Sequence, residues 1–434
     1  MTKAFDAIIV GAGVIGTSIG YQLARRGWRT LNIDRLSASG QGSTSSSLAI
    51  IRTHYSTREG CALAWEGYHC WANWSDYLNL DDGTDFAQFI QTGVIALKTK
   101  DNDRLASQIA LSKELKIPFE EWSPAKIAEQ FPAWDLSRFG PPVISNDPRF
   151  GQPSGPAIDG GVFFPKAGYC NDPRLATQNL QQATEAAGGM FRFQCAVEHV
   201  RTVGNRIAGI TLSDNTRIDA PVVVNAAGPH SEKINELAGI AGSTKITTRA
   251  VRHESVHLAL PEDCDAKYDD VVTFDYDIGS YTRPDHAGSI FVGSQGTDFD
   301  QDQTVDPDDF DRNFTNDAHE PVYRLAQRIP TLGIPNQLRG IVDLWDVTED
   351  WIPVYDCSDL PGYYLAIGTS GNQFKAAPVV GALMAELIGA CESGHNHDLE
   401  PLTFLLERTG NSIGLDFFSR NRNVNHRSSF SVLA

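Results

Sequence analysis

Phe5-Asp6-Ala7-Ile8-Ile9-Val10-Gly11-Ala12-Gly13-Val14-Ile15-Gly16, followed by Asp34 eighteen residues past Gly16, is the stretch on which the fold turns. The nearly all-apolar run from Phe5 to Val10 predicts a parallel strand buried on both faces. Gly11 suits a tight turn, Gly13 lets backbone approach a diphosphate, and Gly16 permits close packing of helix on strand. The helix expected to follow, running to about Arg26 and stopping at Gly27, points its N-terminal amides and positive dipole end at the phosphates. Thr30 to Ile33 predicts a second strand. Asp34 at its end can accept hydrogen bonds from an adenosine ribose and disfavours a 2′-phosphate. Strand, glycine turn, helix, strand and acid in this order describe a Rossmann-like dinucleotide cradle.

Composition bounds the rest. At 434 residues the chain is long enough for two or three domains with their own cores. A hydrophobic fraction of 41% and a charged fraction of 21% describe a globular protein. The run lengths predict no membrane span, which needs about 20 apolar residues. The cradle begins within the first dozen residues, so no signal or transit peptide is expected ahead of it. A net charge of −18 argues against nucleic acid as a partner, because phosphate contacts need clustered Lys and Arg. Seven cysteines, odd in number and without a CxxC pair, are expected to be reduced, as in a cytoplasmic protein. Gly394-His395-Asn396-His397 has no third ligand in view, so it reads as loop and no metal site is expected.

Further along, a Ser/Gly/Thr-rich connection from Ser37 to Ser47 leads into Leu48-Ala49-Ile50-Ile51-Arg52, then a helical pattern from about Glu59 to Tyr77. Gly93 to Leu97 predicts a strand, Asp103 to Leu115 a helix, and Asn146 to Gly160 a surface or lid loop. Asp172 to Ala187 predicts a helix entered through Pro173 and capped by Asn171 or Asp172. Pro221-Val222-Val223-Val224-Asn225-Ala226-Ala227-Gly228-Pro229 predicts a buried strand ending where backbone comes close to something. Alternating stretches between Lys245 and Phe299 predict an antiparallel sheet. Gly362 to Gly368 predicts another strand, feeding the turn Thr369 to Lys375 and a helix from about Pro378 to Ala390. Two glycine turns distant in sequence are thus placed to hold opposite ends of one extended cofactor.

The blocks GAGVIG with Asp34, GSTSSSLAIIRTHY (Gly42 to Tyr55), GGVFFPKAGYCNDPRLA (Gly160 to Ala176), VVNAAGPHS (Val223 to Ser231), LWDVTED (Leu344 to Asp350) and YLAIGTSGNQFKAAPVVG (Tyr364 to Gly381) occur in this order. Together they resemble the D-amino-acid-oxidase-type flavoprotein superfamily, in its branch of sarcosine oxidases (beta-subunit-like) and dimethylglycine dehydrogenases. The resemblance implies an α/β fold: a Rossmann-like FAD-binding domain from residues 1–95, 160–240 and 338–400. A substrate domain with a mixed or antiparallel sheet would come from 96–159 and 241–337, and a C-terminal tail from 401–434. It implies FAD contacts from Gly11, Gly13, Val14, Ile15, Gly16, Asp34 and Arg35 in the first turn, and from Ser43, Thr44, Ser45 and Ile51 in the small-residue segment. Further contacts would come from Val197, Ala227, Gly228 and Trp345, and from Gly371, Asn372, Gln373, Phe374 and Lys375.

For the substrate, the resemblance assigns Arg52 and Lys375 to the grip on a carboxylate. The residue types agree, since a buried carboxylate needs fixed cationic donors, a bidentate fork from Arg and a point charge from Lys. Tyr281, Trp345, His54 and His257 are candidates to shape or hydrogen-bond the substrate. The implied reaction is oxidation of a secondary or tertiary amine bearing a carboxylate, by hydride transfer from the carbon next to nitrogen to flavin N5, then imine hydrolysis. O2 or another electron acceptor would complete the cycle, in a homo-oligomer or as a subunit of a larger complex. Relatives with covalent flavin carry Cys or His where this chain has Asp343 and Ser46, so noncovalent FAD is expected. Phe291 and Gln295 stand where monomeric sarcosine oxidases carry an oxygen-activating lysine and an active-site histidine, which puts oxidase activity in question. Two other readings remain open at this stage: a flavin-linked 2-hydroxy-acid dehydrogenase, and a nonenzymatic FAD-bound subunit or assembly factor.

Overall fold

The computed structural model describes residues 5–81, 83–99, 103–262, 264, 270–285, 288–295, 303–426 and 428. Its first layer is the expected cradle. Strand β1 (Ala7–Val10) is buried at every position, helix α1 covers Val14–Arg25, and strand β2 covers Thr30–Ile33. Phe5 and Asp6 lie before the strand rather than in it. Asp6 is drawn to the surface by Arg29, whose guanidinium meets its carboxylate at 2.6 Å. β1 is central in a six-stranded sheet ordered Val354–Cys357, Tyr363–Ile367, Val222–Asn225, β1, β2, Met190–Arg192. All neighbours are parallel except the antiparallel edge strand Val354–Cys357.

α1 packs between the helices Pro173–Ala186 and Ala377–Glu392. Asp172 caps the first of these, accepting from the Leu175 amide at 2.8 Å. The second passes close to α1 at Gly381, where a Cβ would stand 2.3 Å from Ser18 Oγ. With the turn before it, this helix forms an apolar stretch, Phe374–Glu392, of mean hydropathy 1.5, long enough to cross a membrane and thus at odds with the expectation that no run is. Its most apolar part is 72% buried inside the fold, so its apolarity is spent on the core. The expected helix from Glu59 to Tyr77 is two helices, Arg58–Trp71 and Trp74–Leu78, interrupted where Asn73 leaves helical geometry at φ −133°, ψ 50°.

The second layer is a nine-stranded sheet in which Arg249–Ala259, Ser289–Ser294, Ser280–Asp285, Val272–Asp275, Val94–Leu97 and Gly161–Phe164 are successive neighbours. It is mixed, because Val272–Asp275 runs parallel to Val94–Leu97. The antiparallel expectation for Lys245 to Phe299 holds where that stretch is described. Several boundaries shift. Val94–Leu97, which the boundary after residue 95 divides, and Gly161–Phe164 and Gly340–Val347, assigned by sequence to the dinucleotide part, are strands of this sheet, the last paired with Arg249–Ala259. Strand pairing, unlike local pattern, decides which layer a strand joins.

Residues 401–426 are likewise not a tail. The hairpin Thr403–Leu406 and Asn411–Gly414 buries Phe404, Leu406 and Ile413 in the core beside the six-stranded sheet. The fully buried Arg420 bonds Asp356 at 3.0 Å, Asp398 at 2.8 Å and Asp359 at 2.6 Å. Asp356, Cys357 and Asp398 are close enough to hold a metal ion, but this guanidinium already supplies the cation their carboxylates require. Gly394–His397 closes the end of the last helix as loop, and none of the seven cysteines, all among the described residues, is joined in a disulfide.

Candidate active site

One continuous cavity of about 670 Å³ lies between the two layers, reaching from Asp34 at one end to Lys375 at the other. Its first wall is the cradle. Gly11, at φ +115°, makes a turn that no side chain fits, since a Cβ would come 2.2 Å from the carbonyl oxygen of Ala226. This is the close approach expected at the end of the Val222–Asn225 strand. Gly16 serves the same packing, with a Cβ there 2.3 Å from the Gly11 carbonyl, and does not itself line the cavity.

The N-cap residue of α1, Gly13, has no side chain to cap it, and the dipole end of the helix lines the cavity, where Thr44 Oγ1 accepts from Val14 N at 3.1 Å. Asp34 is held by two backbone amides, one on each carboxylate oxygen: Ala12 N at 2.8 Å and Leu36 N at 2.9 Å. Each oxygen keeps a lone pair for a vicinal hydroxyl. Length, a helix N-terminus at the cavity wall and a fixed carboxylate together fit a dinucleotide.

The Asp34 end is overlaid by the loop 305–312 from the other layer. Asp308 there ion-pairs with Arg35 and with Lys233 (2.6 Å), and lies 3.0 Å from His230 Nε2. Lys233, then Arg35, hold the Asp308 carboxyl well below the usual carboxylate range.

At the far end the two expected cations meet around one ring. Arg52 is 2% exposed and its guanidinium lies 4.3 Å from the centroid of Tyr55. Lys375, 4% exposed, donates from Nζ to the Tyr55 hydroxyl at 2.7 Å and also to the Asn372 carbonyl. Burial pushes the Lys375 ammonium below its ordinary pKa, Arg52 adds to that, and Tyr55 opposes it. Burial alone would raise the Tyr55 hydroxyl, but Lys375 and Arg52 outweigh it and hold the group low. The Lys375 turn is positioned from beneath by the buried Asp346, which accepts from Gly368 N at 2.8 Å and from the Thr369 hydroxyl.

Gly11, Gly13, Val14, Ile15, Asp34, Arg35, Ser43 and Thr44 line the cavity, as do Val197, Ala227, Gly228, Tyr281, Trp345 and the run Gly371 to Lys375. Other expected contacts do not. Ile51 sits in the core because strand side chains alternate, and Ile50 and Arg52 take the cavity side. Ser45 is exposed, its hydroxyl turned to the Gly42 carbonyl at 2.9 Å. His54 is fully buried and stacks on Phe164 at 4.1 Å, which makes it core packing rather than a substrate contact. His257 sits beyond the cavity, 3.1 Å from Asp285 Oδ2 and 3.0 Å from Ser289 Oγ. Phe291 is under the Arg283 guanidinium at 5.6 Å, and neither it nor Gln295 reaches the cavity wall.

Three contributors escaped the sequence reading. Tyr55 joins the two cations, and His253 and Ser255 face the cavity beside Tyr281. A signal for the last two was available: they are two apart on an alternating strand and so share a face.

Comparison with known proteins follows the same line. The FAD dependent oxidoreductase family matches residues 6–387. The chain is 25% identical over 437 residues to FAD-dependent oxidoreductase domain-containing protein 1 of Bos taurus, across 93% of this chain and 84% of that protein. It is 24% identical to sarcosine oxidase subunit beta of Rhodobacter capsulatus, across 89% and 85% respectively. The solved L-proline dehydrogenase from P. horikoshii shares the fold with a TM-score of 0.75 at 20% identity, over 97% of this chain and 98% of that one.

Proposed function

This chain belongs to the FAD-dependent oxidoreductase family, and from that premise we propose that it oxidises a secondary or tertiary amine carrying a carboxylate, of the sarcosine or dimethylglycine kind, with FAD held noncovalently. The observation that carries the reading is the pair of buried cations, Arg52 and Lys375, joined through Tyr55 at the cavity's end. A guanidinium fork and an ammonium held at one end of the cavity are fixed cationic donors of the kind a carboxylate ligand takes.

Bound FAD supplies the two-electron acceptor. Asp34 would hold its ribose, the N-terminus of α1 its diphosphate, and Gly371 to Lys375 its opposite end. Arg52 and Lys375 fix the substrate carboxylate, which sets the rotation of the molecule in the cavity. Their positive charge also favours loss of the ammonium proton to solvent, leaving the neutral amine whose lone pair assists oxidation of the neighbouring carbon. Water then hydrolyses the imine.

Noncovalent attachment is supported by Ser46 and Asp343, the positions of flavin linkage in covalent relatives. Neither residue type forms such a linkage, and here the Ser46 hydroxyl donates to the Asp343 carboxylate. Acid precipitation tests this directly: yellow supernatant supports it, and a yellow pellet overturns it.

The substrate class is tested by adding sarcosine, dimethylglycine, proline and 2-hydroxyglutarate anaerobically to FAD-loaded protein. Bleaching of the flavin by an amine is expected. Bleaching by 2-hydroxyglutarate alone would replace the reading with hydroxy-acid oxidation.

A further inference from the structure

The contacts around the Lys375 end of the cavity close into a ring. Arg52 lies 5.3 Å from the Phe274 centroid, Phe274 is 6.1 Å from the Tyr281 ring, and the Tyr281 hydroxyl is 3.3 Å from His253 Nε2. His253 stacks on Trp345 at 3.6 Å, and Trp345 covers Gly371, where a Cβ would stand 2.5 Å from the indole. Asn372, Lys375 and Tyr55 return the circuit to Arg52. One arc is cationic. The arc through His253, Ser255 and Tyr281 presents two hydroxyls and an imidazole, and the carboxylate grip makes no use of it.

Two observations mark that arc as built for a ligand. Gly293 is the register partner of Tyr281, and a Cβ on it would lie 2.4 Å from the Tyr281 hydroxyl. The missing side chain is the gap through which the hydroxyl reaches across the sheet to Ser255 and His253. All three mutual distances are long, 3.3 Å for His253 to Tyr281, 3.3 Å for Ser255 to His253 and 3.4 Å for Ser255 to Tyr281. A well-formed O–H···O bond measures about 2.7–2.8 Å, and one between oxygen and nitrogen about 2.9–3.0 Å. Hydroxyls as buried as Tyr281 (2% exposed) and Ser255 (3%) with such weak mutual bonds retain capacity for a stronger partner in the cavity they line.

We infer that the preferred substrate carries, in addition to the N-alkyl amino-acid skeleton of sarcosine or dimethylglycine, an uncharged hydrogen-bonding group, an amide or a hydroxyl, on the side of the oxidised carbon away from its carboxylate, and that His253, Ser255 and Tyr281 hold it. The inference rests on the proposed carboxylate grip at Arg52 and Lys375. It makes the trio a specificity determinant, discriminating by the penalty of leaving its hydroxyls facing an apolar end.

The test titrates FAD-loaded protein with two redox-inert carboxylates of equal size, succinamate and 4-methylpentanoate, following the flavin absorbance. Succinamate is expected to bind about tenfold more tightly, and Tyr281→Phe with Ser255→Ala to remove most of that preference. Equal or tighter binding of 4-methylpentanoate by the unmodified protein overturns the inference and leaves the carboxylate grip standing. A preference that survives both substitutions overturns the assignment to this trio. If neither compound perturbs the flavin, the grip fails and the inference with it.

Discussion

The ammonium of Lys375 donates a 2.7 Å hydrogen bond to the hydroxyl of Tyr55, a residue 320 positions away in the chain. Because the Arg52 guanidinium lies over the same ring at 4.3 Å, one tyrosine spaces both cations and keeps either from turning away. The grip is therefore a three-residue unit, and its parts should respond unequally to substitution.

Arg52→Ala removes a buried charge that the proposed grip sets against the substrate carboxylate. KM should rise by about one order of magnitude or more, with a smaller change in kcat. Tyr55→Phe loses only the bond to Lys375 and keeps the ring, so the rise should be nearer fivefold. Steady-state kinetics on both variants checks the order, and an unchanged KM in Arg52→Ala would remove that residue from the site.

Carboxylate affinity should fall on the alkaline side. Burial lowers the Lys375 pKa, Arg52 lowers it further, and Tyr55 only partly restores it. The ammonium is thus lost as pH rises at a lower pH than the value of about 10.4 typical of a free lysine. Titrating a redox-inert carboxylate between pH 7 and 10.5 should show weakening that Lys375→Met abolishes. Tyr55→Phe, run in parallel, separates the phenol's own titration from that of the amine.

His54 predicts a pH dependence of stability instead of activity. Burial, then Arg52 and Lys375, lower its pKa well below the ordinary histidine value, and neither ring nitrogen has a hydrogen-bond partner among the described residues. The folded state refuses a proton that the unfolded chain accepts below about pH 6.5, so stability declines as pH falls, by about 1.4 kcal/mol per pH unit from this group. His54→Phe should shrink the difference in urea unfolding free energy between pH 7.5 and 5.5 by about that amount. An unaltered difference would show that His54 takes up its proton in the folded state.

Arg420 ties the C-terminal segment to the six-stranded sheet through Asp356, Asp359 and Asp398. Arg420→Met strands the buried Asp356 carboxylate without its cation and should destabilise the protein by about 3–5 kcal/mol. Truncation after residue 400 should be at least as damaging, since it also removes the buried Phe404, Leu406 and Ile413. Denaturant melts that match the parent would make this segment dispensable.

Much of the cofactor end was legible because its signals are local. A glycine turn needs φ > 0 within one residue, a helix satisfies itself within four, and the acid ending β2 follows from strand length. Gly11, Gly13 and Asp34 accordingly sit where the reading put them. The substrate end was legible only in part. Arg52 and Lys375 were named through a family resemblance, whereas His54, set beside them by sequence, turned into the core against Phe164. His257 shares a strand face with His253 and Ser255, yet lies past the cavity's edge.

The amino-acid sequence by itself determined the cradle, the order of its strands and helices, and the presence of two cations suited to an anion. Tertiary structure alone decided that those cations share Tyr55, that Gly293 opens a path from Tyr281 to His253 and Ser255, and that residues 401–426 belong to the core. The division follows from range. Backbone conformation is set by near neighbours, but the companions of a side chain are chosen by strand register and sheet packing, which join residues hundreds of positions apart.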